Sequence, residues 1–236
     1  MNAENRLIVA LDIDDRKKCK EMIKILSPEV EIFKVGIAPF TDFGDDILNA
    51  ISSAGKKVFL DLKFHDIPTT VRKAAFAAAK KGVFMMNFHC FGGAAMMTEA
   101  AVGAKEGARA AEKKTPILLG VTVLTSMDKR DLALIGMNTS VKEKVAELAK
   151  LAKQAGMDGV VASAEETQMI KEIFGKEFLV VTPGIRPAWA ASADQKRVLT
   201  PLEAIANGSD YIVVGRPITQ AEDPLEAARK VINEIR

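Results

Sequence analysis

The sequence has few cysteines and few histidines, and both shortages restrict the chemistry open to it. Two cysteines stand among 236 residues, Cys19 and Cys90, and they are far apart and form no Cys-x-x-Cys pair. Cys90 lies in an apolar run, so we expect both to be reduced core cysteines of a cytoplasmic protein. The two histidines, His65 and His89, cannot build an ordinary zinc site without carboxylates. The cysteines and histidines therefore give no indication of a zinc site.

The chain also lacks an excess of either charge and lacks long apolar runs. Lys and Arg number 33 against 31 for Asp and Glu, a formal net charge of +2. No basic field therefore indicates nucleic acid or a membrane surface as a partner. No apolar stretch approaches the length of about 18 residues that a membrane helix needs, and the N-terminus shows no secretion signal pattern. We expect a cytoplasmic protein that binds a small or anionic ligand locally.

Short apolar segments rich in β-branched residues alternate along the chain with amphipathic segments rich in Lys, Glu and Ala. Eight of the apolar segments predict strands, at 7–13, 31–37, 57–64, 84–90, 116–124, 159–163, 178–184 and 211–217. Helical patterns lie between them, for example at 15–26, 69–81, 140–155 and 222–235. Eight βα units without a break in composition predict an α/β fold, a single-domain (β/α)8 TIM barrel over 1–236. An open doubly wound sheet is the alternative, although no Gly-rich GxGxxG turn follows the first strand.

Functional residues of such barrels lie where the strands end and the βα loops begin. Polar residues stand at most of these predicted ends, namely Asp12, Lys34, Asp61, Lys63, His89, Thr125, Ser126, Gly184, Arg186, Gly215 and Arg216. Those near the first three strands, together with Asp66, predict an alternating array of three carboxylates and two ammoniums. We expect His89 to be a hydrogen-bonded scaffold residue and assign no catalytic role to His65.

The densest charge pattern is FLDLKFHDIPTT, residues 59–70. Asp61 and Lys63 stand two residues apart on a predicted strand, so both side chains project from one face, and Asp66 follows three residues later. Burying such charges is costly unless they pair or the site uses them. The residues alone leave two interpretations open. One is a structural ion pair, and the other is a lysine kept protonated between two carboxylates as a proton donor.

The last two βα loops carry the features of an anion site. Gly215 and Arg216 in VVGRPIT offer backbone N–H groups and a guanidinium, and the loops after strands seven and eight of these barrels often bind phosphate. A turn with a solvated charge is the alternative. The preceding loop, 185–198, is long, and we expect it to be a lid that donates Gln195 to a phosphate. The alternative there is a variable surface loop.

Taken together, these residues resemble a known family. DLKFHDIPTT at 61–70 is similar to the Asp-x-Lys-x-x-Asp-Ile-Pro-x-Thr signature of the orotidine 5'-monophosphate decarboxylase family. Further segments match in order over nearly the whole chain: ALDID with Asp12, FKVG with Lys34, VLTS at 123–126, PGIRP at 183–187, DQ at 194–195 and VGRPIT at 214–219. The chain departs from the family at IAPF, residues 37–40, where a Glu-Leu-Phe-like run is expected.

The resemblance implies a barrel homodimer that converts orotidine 5'-monophosphate to UMP and carbon dioxide, the last step of UMP synthesis. It implies no metal and no organic cofactor. Lys63 would be the proton donor to C6, with Asp61 near the leaving carboxylate and Asp66 reaching into the neighbouring subunit's site. Lys34 would complete the charged array.

The resemblance also implies the residues that bind the substrate. They are Asp12 and Lys34 at the ribose hydroxyls, Thr70 across the dimer, Thr125 and Ser126 at the pyrimidine, and Arg186, Gln195, Gly215 and Arg216 at the phosphate. Two other functions stay open at this point. One is a metal-dependent sugar-phosphate lyase or aldolase of the same barrel group, which shares the Asp-x-Lys-x-x-Asp stretch, and the other is a non-enzymatic nucleotide-binding barrel.

Overall fold

Eight parallel strands close into a barrel in the computed structural model, which describes residues 3–190 and 199–236. The strands are β1 (Leu7–Ala10), β2 (Ile32–Gly36), β3 (Lys57–Phe64), β4 (Met85–His89), β5 (Ile117–Val121), β6 (Gly159–Val161), β7 (Leu179–Thr182) and β8 (Tyr211–Val214). They follow one another around the barrel in chain order, and β1 pairs with β8, Leu7 lying opposite Ile212. The predicted (β/α)8 TIM barrel is confirmed, and the open sheet is wrong because no strand edge is left between β1 and β8.

Helices connect the strands and cover the outside of the barrel. They are α1 (Arg16–Leu26), α2 (Ile37–Phe43), α3 (Asp45–Ser53), α4 (Pro68–Lys80), α5 (Gly93–Ala110), α6 (Lys129–Leu134), α7 (Val141–Gln154), α8 (Ala164–Phe174), α9 (Pro201–Ala206), α10 (Arg216–Thr219) and α11 (Pro224–Glu234). Local side chains define their starts. Asp15 accepts a hydrogen bond from the Lys18 N–H at the start of α1, and Ser140 and Glu143 form a capping box at the start of α7.

Most predicted strands extend past the observed carboxyl ends, because polar site residues and loops follow directly on the apolar runs. The first ends at Ala10 rather than at residue 13, whereas β3 matches its predicted range of 57–64. Ile37, predicted as the last residue of the second strand, begins α2 instead. The IAPF segment therefore lies in a helix that starts immediately after β2, and it leaves Lys34 in the strand.

The apolar residues form two layers, one inside the barrel and one between the sheet and the helices. The inner layer consists of Ile8, Ala10, Ile32, Phe59, Met85, Leu119, Val181, Tyr211 and Val213. All residues of β1, β2 and β8 are buried, which explains why β1 and β8 appear in the sequence as continuous apolar runs, whereas β2 carries the buried Lys34. Full burial of a side chain such as Phe59 contributes about 1.5–3 kcal/mol. The interior is thus a packed core, and the cavities beside the charged residues described below lie at the carboxyl ends of the strands.

Two glycines allow α4 and α5 to pack in close contact. A Cβ at Gly103 would lie 2.2 Å from the carbonyl oxygen of Arg72, and one at Gly107 would lie 2.2 Å from that of Phe76. No real Cβ approaches a backbone oxygen so closely, so the two helix backbones touch where α5 has no side chain. This contact fixes α4, which begins four residues after β3, against α5.

Both cysteines are buried and carry free thiols, as predicted for the core. Burial raises the pKa of the Cys19 thiol to about 11 and that of Cys90 to about 12. Within the described residues, no helix combines the length and the apolar character needed to cross a membrane.

Candidate active site

Four charged side chains form a continuous row of ion pairs across the carboxyl ends of β1, β2 and β3. The Nζ atom of Lys34 lies 3.2 Å from Asp12 Oδ1 and 3.3 Å from Asp61 Oδ2. The Nζ atom of Lys63 lies 2.7 Å from Asp61 Oδ1. The side chains of Lys34 and Asp61 are each 11% exposed, so Asp61 is a buried carboxylate that bridges two ammoniums. We call these four residues the charged array.

Asp66 does not belong to the charged array of its own chain. Its carboxylate is exposed and accepts a hydrogen bond of 2.6 Å from the N–H of Ile67. Among the described residues it forms no ion pair with Lys63. The prediction of three carboxylates in one local array is therefore wrong, because the chain leaves β3 at Phe64 and turns toward α4 before Asp66. The role of Asp66 in a neighbouring subunit stays a prediction.

The backbone of β3 is irregular at the point where it carries the array. Leu60 pairs with Met86 and Phe64 pairs with Phe88, so three residues of β3 face a single residue of β4, Asn87. Within this bulge Lys63 has a φ of 50°, in the left-handed region that residues other than glycine seldom occupy. Asp61 and Lys63 do contact each other as the sequence predicted, but a bulged strand brings them together rather than a regular one.

Asn87 is a site residue that sequence reasoning missed. Its side chain is fully buried, donates a hydrogen bond of 2.6 Å to Asp61 Oδ1 and accepts one of 2.8 Å from the backbone N–H of Lys63. A signal was present, because the asparagine interrupts the apolar segment FMMNFHC at the position whose strand parity matches the inward-facing Met85. A polar residue on the inner face of a buried strand needs a partner there.

Two adjacent cavities open above the barrel core and share the wall formed by Lys34, Asp61, Pro183 and Val213. The first, the ring cavity, has a volume of ≈ 200 Å³ and is mostly apolar, with a polar edge at Lys63, Thr125 and Ser126. The second, the anion cavity, has a volume of ≈ 260 Å³ and is lined also by Asp12, Gly184, Arg186, Gly215 and Arg216. The structure thus brings most of the predicted site residues together around the charged array.

Two glycines lie near the charged array, and they differ in the space that a Cβ would find. A Cβ at Gly36 would lie 3.1 Å from both Asp12 Oδ1 and Lys34 Nζ, closer than most real Cβ contacts. At Gly215 a Cβ would only reach ordinary contact with Ala10, 3.4 Å from its Cβ. Gly36 therefore leaves room for the ion pair itself, whereas a Cβ would fit at Gly215, which lines the anion cavity.

Thr70 and Gln195, two further predicted binding residues, are not among the described residues that line the cavities. Thr70 is exposed in the first turn of α4 and lines neither cavity. Gln195 lies outside the described residues, as does the second half of the predicted lid at 185–198. In the first half, the Arg186 N–H bonds to the carbonyl of Leu199 at 3.1 Å, which joins the two sides of this loop at its base.

The two histidines stack on each other beside the array, with ring centroids 5.4 Å apart. Burial lowers the pKa of His89, and the nearby His65 and Lys63 lower it further. The Nδ1 atom of His89 is buried and has no hydrogen-bond partner in the part of the chain that the structure describes. The prediction of a hydrogen-bonded scaffold is therefore wrong for this nitrogen, because a ring stack and Phe91, 5.3 Å away, surround the imidazole instead.

Metal-ligand groups are not concentrated at this site. Across residues 3–190 and 199–236, no three His, Cys, Asp or Glu side chains cluster in a way that could hold a metal ion. The carboxylates of the array already face ammonium groups, which would repel a cation. The arrangement instead suits an anionic ligand whose polar part lies over Lys34 and Lys63.

Known proteins share both the sequence and this architecture. The profile of the "Orotidine 5'-phosphate decarboxylase / HUMPS family" matches residues 5–231. A protein of Syntrophotalea carbinolica named orotidine 5'-phosphate decarboxylase is 48% identical over 235 residues, covering 100% of this chain and 96% of the relative. One of the same name from Moorella thermoacetica is 47% identical, covering 100% of this chain and 94% of the relative.

Solved structures show the same similarity in three dimensions. The crystal structure of orotidine 5'-phosphate decarboxylase from Lactobacillus acidophilus superimposes with a TM-score of 0.87 at 39% identity, covering 98% of this chain and 99% of that one. An uncharacterized conserved protein from Geobacillus kaustophilus gives a TM-score of 0.86 at 36% identity, covering 98% of this chain and 100% of the other. The family profile matches almost the whole length of the chain, and the closed barrel carries the charged array at its carboxyl ends. This chain therefore belongs to the orotidine 5'-phosphate decarboxylase / HUMPS family.

Proposed function

We propose that this chain is an orotidine 5'-phosphate decarboxylase, a carboxy-lyase that converts orotidine 5'-monophosphate to UMP and carbon dioxide in pyrimidine biosynthesis. The observation that carries the proposal is the buried Asp61 carboxylate between the Lys34 and Lys63 ammoniums, placed at the wall between the ring cavity and the anion cavity. Relatives with this name, about half identical over their full length, support the same assignment.

The chemistry explains why such an array is needed. When the bond from C6 to the carboxylate breaks, the electron pair stays on C6 in the plane of the ring, where no carbonyl group delocalises it. A fixed positive charge must therefore stabilise the electron pair on C6, and a proton donor must be close enough to protonate C6 at once. Lys63 supplies both, since its ammonium gives a proton to C6 as carbon dioxide leaves, and solvent then reprotonates the amine. No step requires a metal or an organic cofactor.

Asp61 has two tasks in this mechanism. It holds the Lys63 ammonium at 2.7 Å and so fixes the donor before substrate binds. It would also lie beside the substrate carboxylate, and their repulsion disappears as that carboxylate leaves as neutral carbon dioxide. The binding energy of a distant phosphate offsets this unfavourable contact.

The two cavities accommodate the two ends of the substrate. We place the pyrimidine in the ring cavity, where Thr125 and Ser126 form the polar edge, and the phosphate in the anion cavity beside Arg186, Gly215 and Arg216. The ribose then crosses the shared wall, where Lys34 faces its hydroxyls together with Asp12 from the adjoining lining of the anion cavity. Gln195 remains a proposed phosphate ligand outside the described residues.

We further propose a homodimer in which Asp66 and Thr70 complete the partner's site. Both are exposed, and neither lines a cavity of its own chain. Ile67, between them in sequence, is 64% exposed, so this segment also offers an apolar contact to a partner subunit. We also propose a cytoplasmic location, which the two free buried thiols support.

The first experiment measures the conversion of orotidine 5'-monophosphate by the purified protein in excess chelator. We expect full activity, because the proposed steps involve no metal. A metal-dependent sugar-phosphate lyase, the alternative that the relatives do not favour, would lose its activity under chelation, since an enediolate intermediate needs a metal ion. Absence of turnover by a folded protein would refute the decarboxylase proposal.

The Lys63→Ala variant separates an enzyme from a binding protein. We expect turnover to fall by several orders of magnitude while UMP still binds, because the ammonium acts in the transition state. Lys57→Ala is the matched control, since Lys57 begins the same strand at the opposite end of the barrel and is exposed. Equal activities of the two variants would contradict the assignment of the proton donor.

Mixing two inactive variants tests the dimer. If Asp66 serves the partner's site, a heterodimer of Lys63→Ala and Asp66→Ala chains contains one intact site. Random reassociation of equal amounts then restores about a quarter of the wild-type activity, because half of the dimers are mixed and each has one working site. No recovery after verified subunit exchange would refute this use of Asp66.

A further inference from the structure

We infer that Asn87 is a positioning residue that sets the place of the Lys63 ammonium by holding both ends of that residue. The kinetic part of this inference rests on the proposed decarboxylase function, whereas its structural part does not. Asn87 lies on β4, outside the charged array, and lines neither the ring cavity nor the anion cavity. It therefore acts through its neighbours rather than on the substrate.

The Asn87 side chain takes over a role that backbone pairing cannot perform in the bulge. Because three residues of β3 face one residue of β4, the N–H of Lys63 has no regular partner across the ladder. Asn87 Oδ1 accepts that N–H at 2.8 Å. The amide thus satisfies a backbone donor that the irregular pairing would otherwise leave buried without a partner.

The same amide also controls the head of the lysine. Asn87 Nδ2 donates to Asp61 Oδ1 at 2.6 Å, and this oxygen is the one that Lys63 Nζ contacts at 2.7 Å. One end of the amide therefore orients the carboxylate that holds the ammonium, and the other end anchors the backbone from which the ammonium extends. Neither contact survives if the amide is reversed, since a backbone N–H needs an acceptor and a carboxylate needs a donor.

The conformation of Lys63 explains why such an anchor is needed. A φ of 50° is unfavourable for any residue with a Cβ and persists only where the surroundings hold it. Asn87 is fully buried and has no freedom to follow a relaxing backbone. Without it, we expect residues 61–63 to relax toward ordinary strand geometry, which would carry the ammonium away from C6. Proton donors lose most of their effect after displacements of this kind.

The kinetic test compares Asn87→Ala and Asn87→Asp with wild type. Asn87→Ala removes both contacts, whereas Asn87→Asp keeps the shape and the acceptor but loses the donor to Asp61. We expect kcat to fall on the order of 10- to 100-fold in each, the effect of losing a charge-assisted hydrogen bond that orients a reacting group. The affinity for UMP should change less than about threefold, because the cavities keep their lining.

Thr182→Val is the matched control. Thr182 is equally buried, and the substitution removes one side-chain hydrogen bond, the contact of 2.7 Å with Ser209, a residue that precedes β8 and does not belong to the array. We expect wild-type kcat for it. A second control combines Asn87→Ala with Lys63→Ala, where the loss at Asn87 should vanish because no ammonium remains to be placed. Full additivity of the two losses would overturn the inference, as would a kcat of Asn87→Asp within threefold of wild type.

Amide hydrogen exchange tests the structural part without any turnover. Exchange in a peptide covering residues 60–66 should accelerate at least tenfold in Asn87→Ala, which removes the acceptor of the Lys63 N–H, while peptides from β6 and β7 keep the wild-type rate. Unchanged exchange at 60–66 would overturn the inference even if kcat falls. Wild-type protein that does not convert orotidine 5'-monophosphate would refute the proposed function alone, because the exchange result stands independently of it.

Discussion

Asp61→Asn is the substitution that most directly tests whether the charged array is a buried network. The asparagine keeps the size of the side chain but removes the only carboxylate within 4 Å of Lys63 in the described structure. Two ammoniums, Lys34 and Lys63, would then face each other, with Asp12 alone to offset them and itself 61% exposed. The array would change from two carboxylates and two ammoniums to an unbalanced positive cluster.

The distances within the array determine how much stability Asp61→Asn should lose. At an effective dielectric constant of about 20, charges 2.7 and 3.3 Å apart attract by roughly 6 and 5 kcal/mol, using the contacts of Asp61 with Lys63 and Lys34. The cost of desolvating the three groups offsets much of this attraction, and removing one partner of a buried ion pair typically costs about 3–5 kcal/mol. For a chain of this length that loss corresponds to a fall in Tm of roughly 6–20 °C.

Urea denaturation followed by circular dichroism measures the effect, with Asp46→Asn as the matched control. Asp46 also contacts two cations, Lys20 at 2.7 Å and Arg16 at 3.8 Å, but at the surface. Salt should abolish the small effect of Asp46→Asn and leave most of the Asp61→Asn effect, since buried pairs are poorly screened. If the two variants were equally stable, the array would not be a buried network held by Asp61.

Three further predictions concern the barrel and the histidine stack. Gly103→Ala should lower the free energy of unfolding by about 1–3 kcal/mol in urea titrations, because the new methyl meets the Arg72 carbonyl oxygen. The Cys90 thiol, with its pKa raised to about 12, should react with a disulfide reagent at pH 8 only after denaturation. Because the pKa of His89 is lowered in the folded state, the contribution of neutral His89 to the free energy of unfolding should be fully present above about pH 6.5 and should be lost as the pH falls. In urea titrations at several pH values, His89→Gln should make the midpoint less dependent on pH.

Much of the fold and half of the site geometry follow from local patterns. Strands buried on both faces appear as continuous apolar runs, so the eight units could be counted from the sequence, and the polar residues ending those runs identified the mouth of the barrel. Asp12, Lys34 and Asp61 were grouped correctly because parallel strands of a closed barrel bring their carboxyl ends to one rim.

What the sequence did not reveal depends on contacts between distant segments. KVFLDLKF has the pattern of an uninterrupted strand. The bulge depends on the pairing with β4, where one residue lies opposite three residues of β3, and this pairing is not visible in the β3 segment itself. The left-handed backbone of Lys63 has no local signal, since lysine has no preference for it. The sequence predicts hydrogen bonds for His89, but its ring stacks on His65, which belongs to another segment, and packs against Phe91. Long-range packing decided each of these positions.

The common wall of the two cavities has a consequence for inhibitor design. A flat apolar fragment fits the ring cavity and a small dianion fits the anion cavity, and both end against Lys34 and Asp61. Fragments found separately for each cavity can therefore be joined by a short linker over this wall. The second fragment then binds at an effective concentration in the millimolar range, so two weak ligands combine into one tight ligand without any new contact.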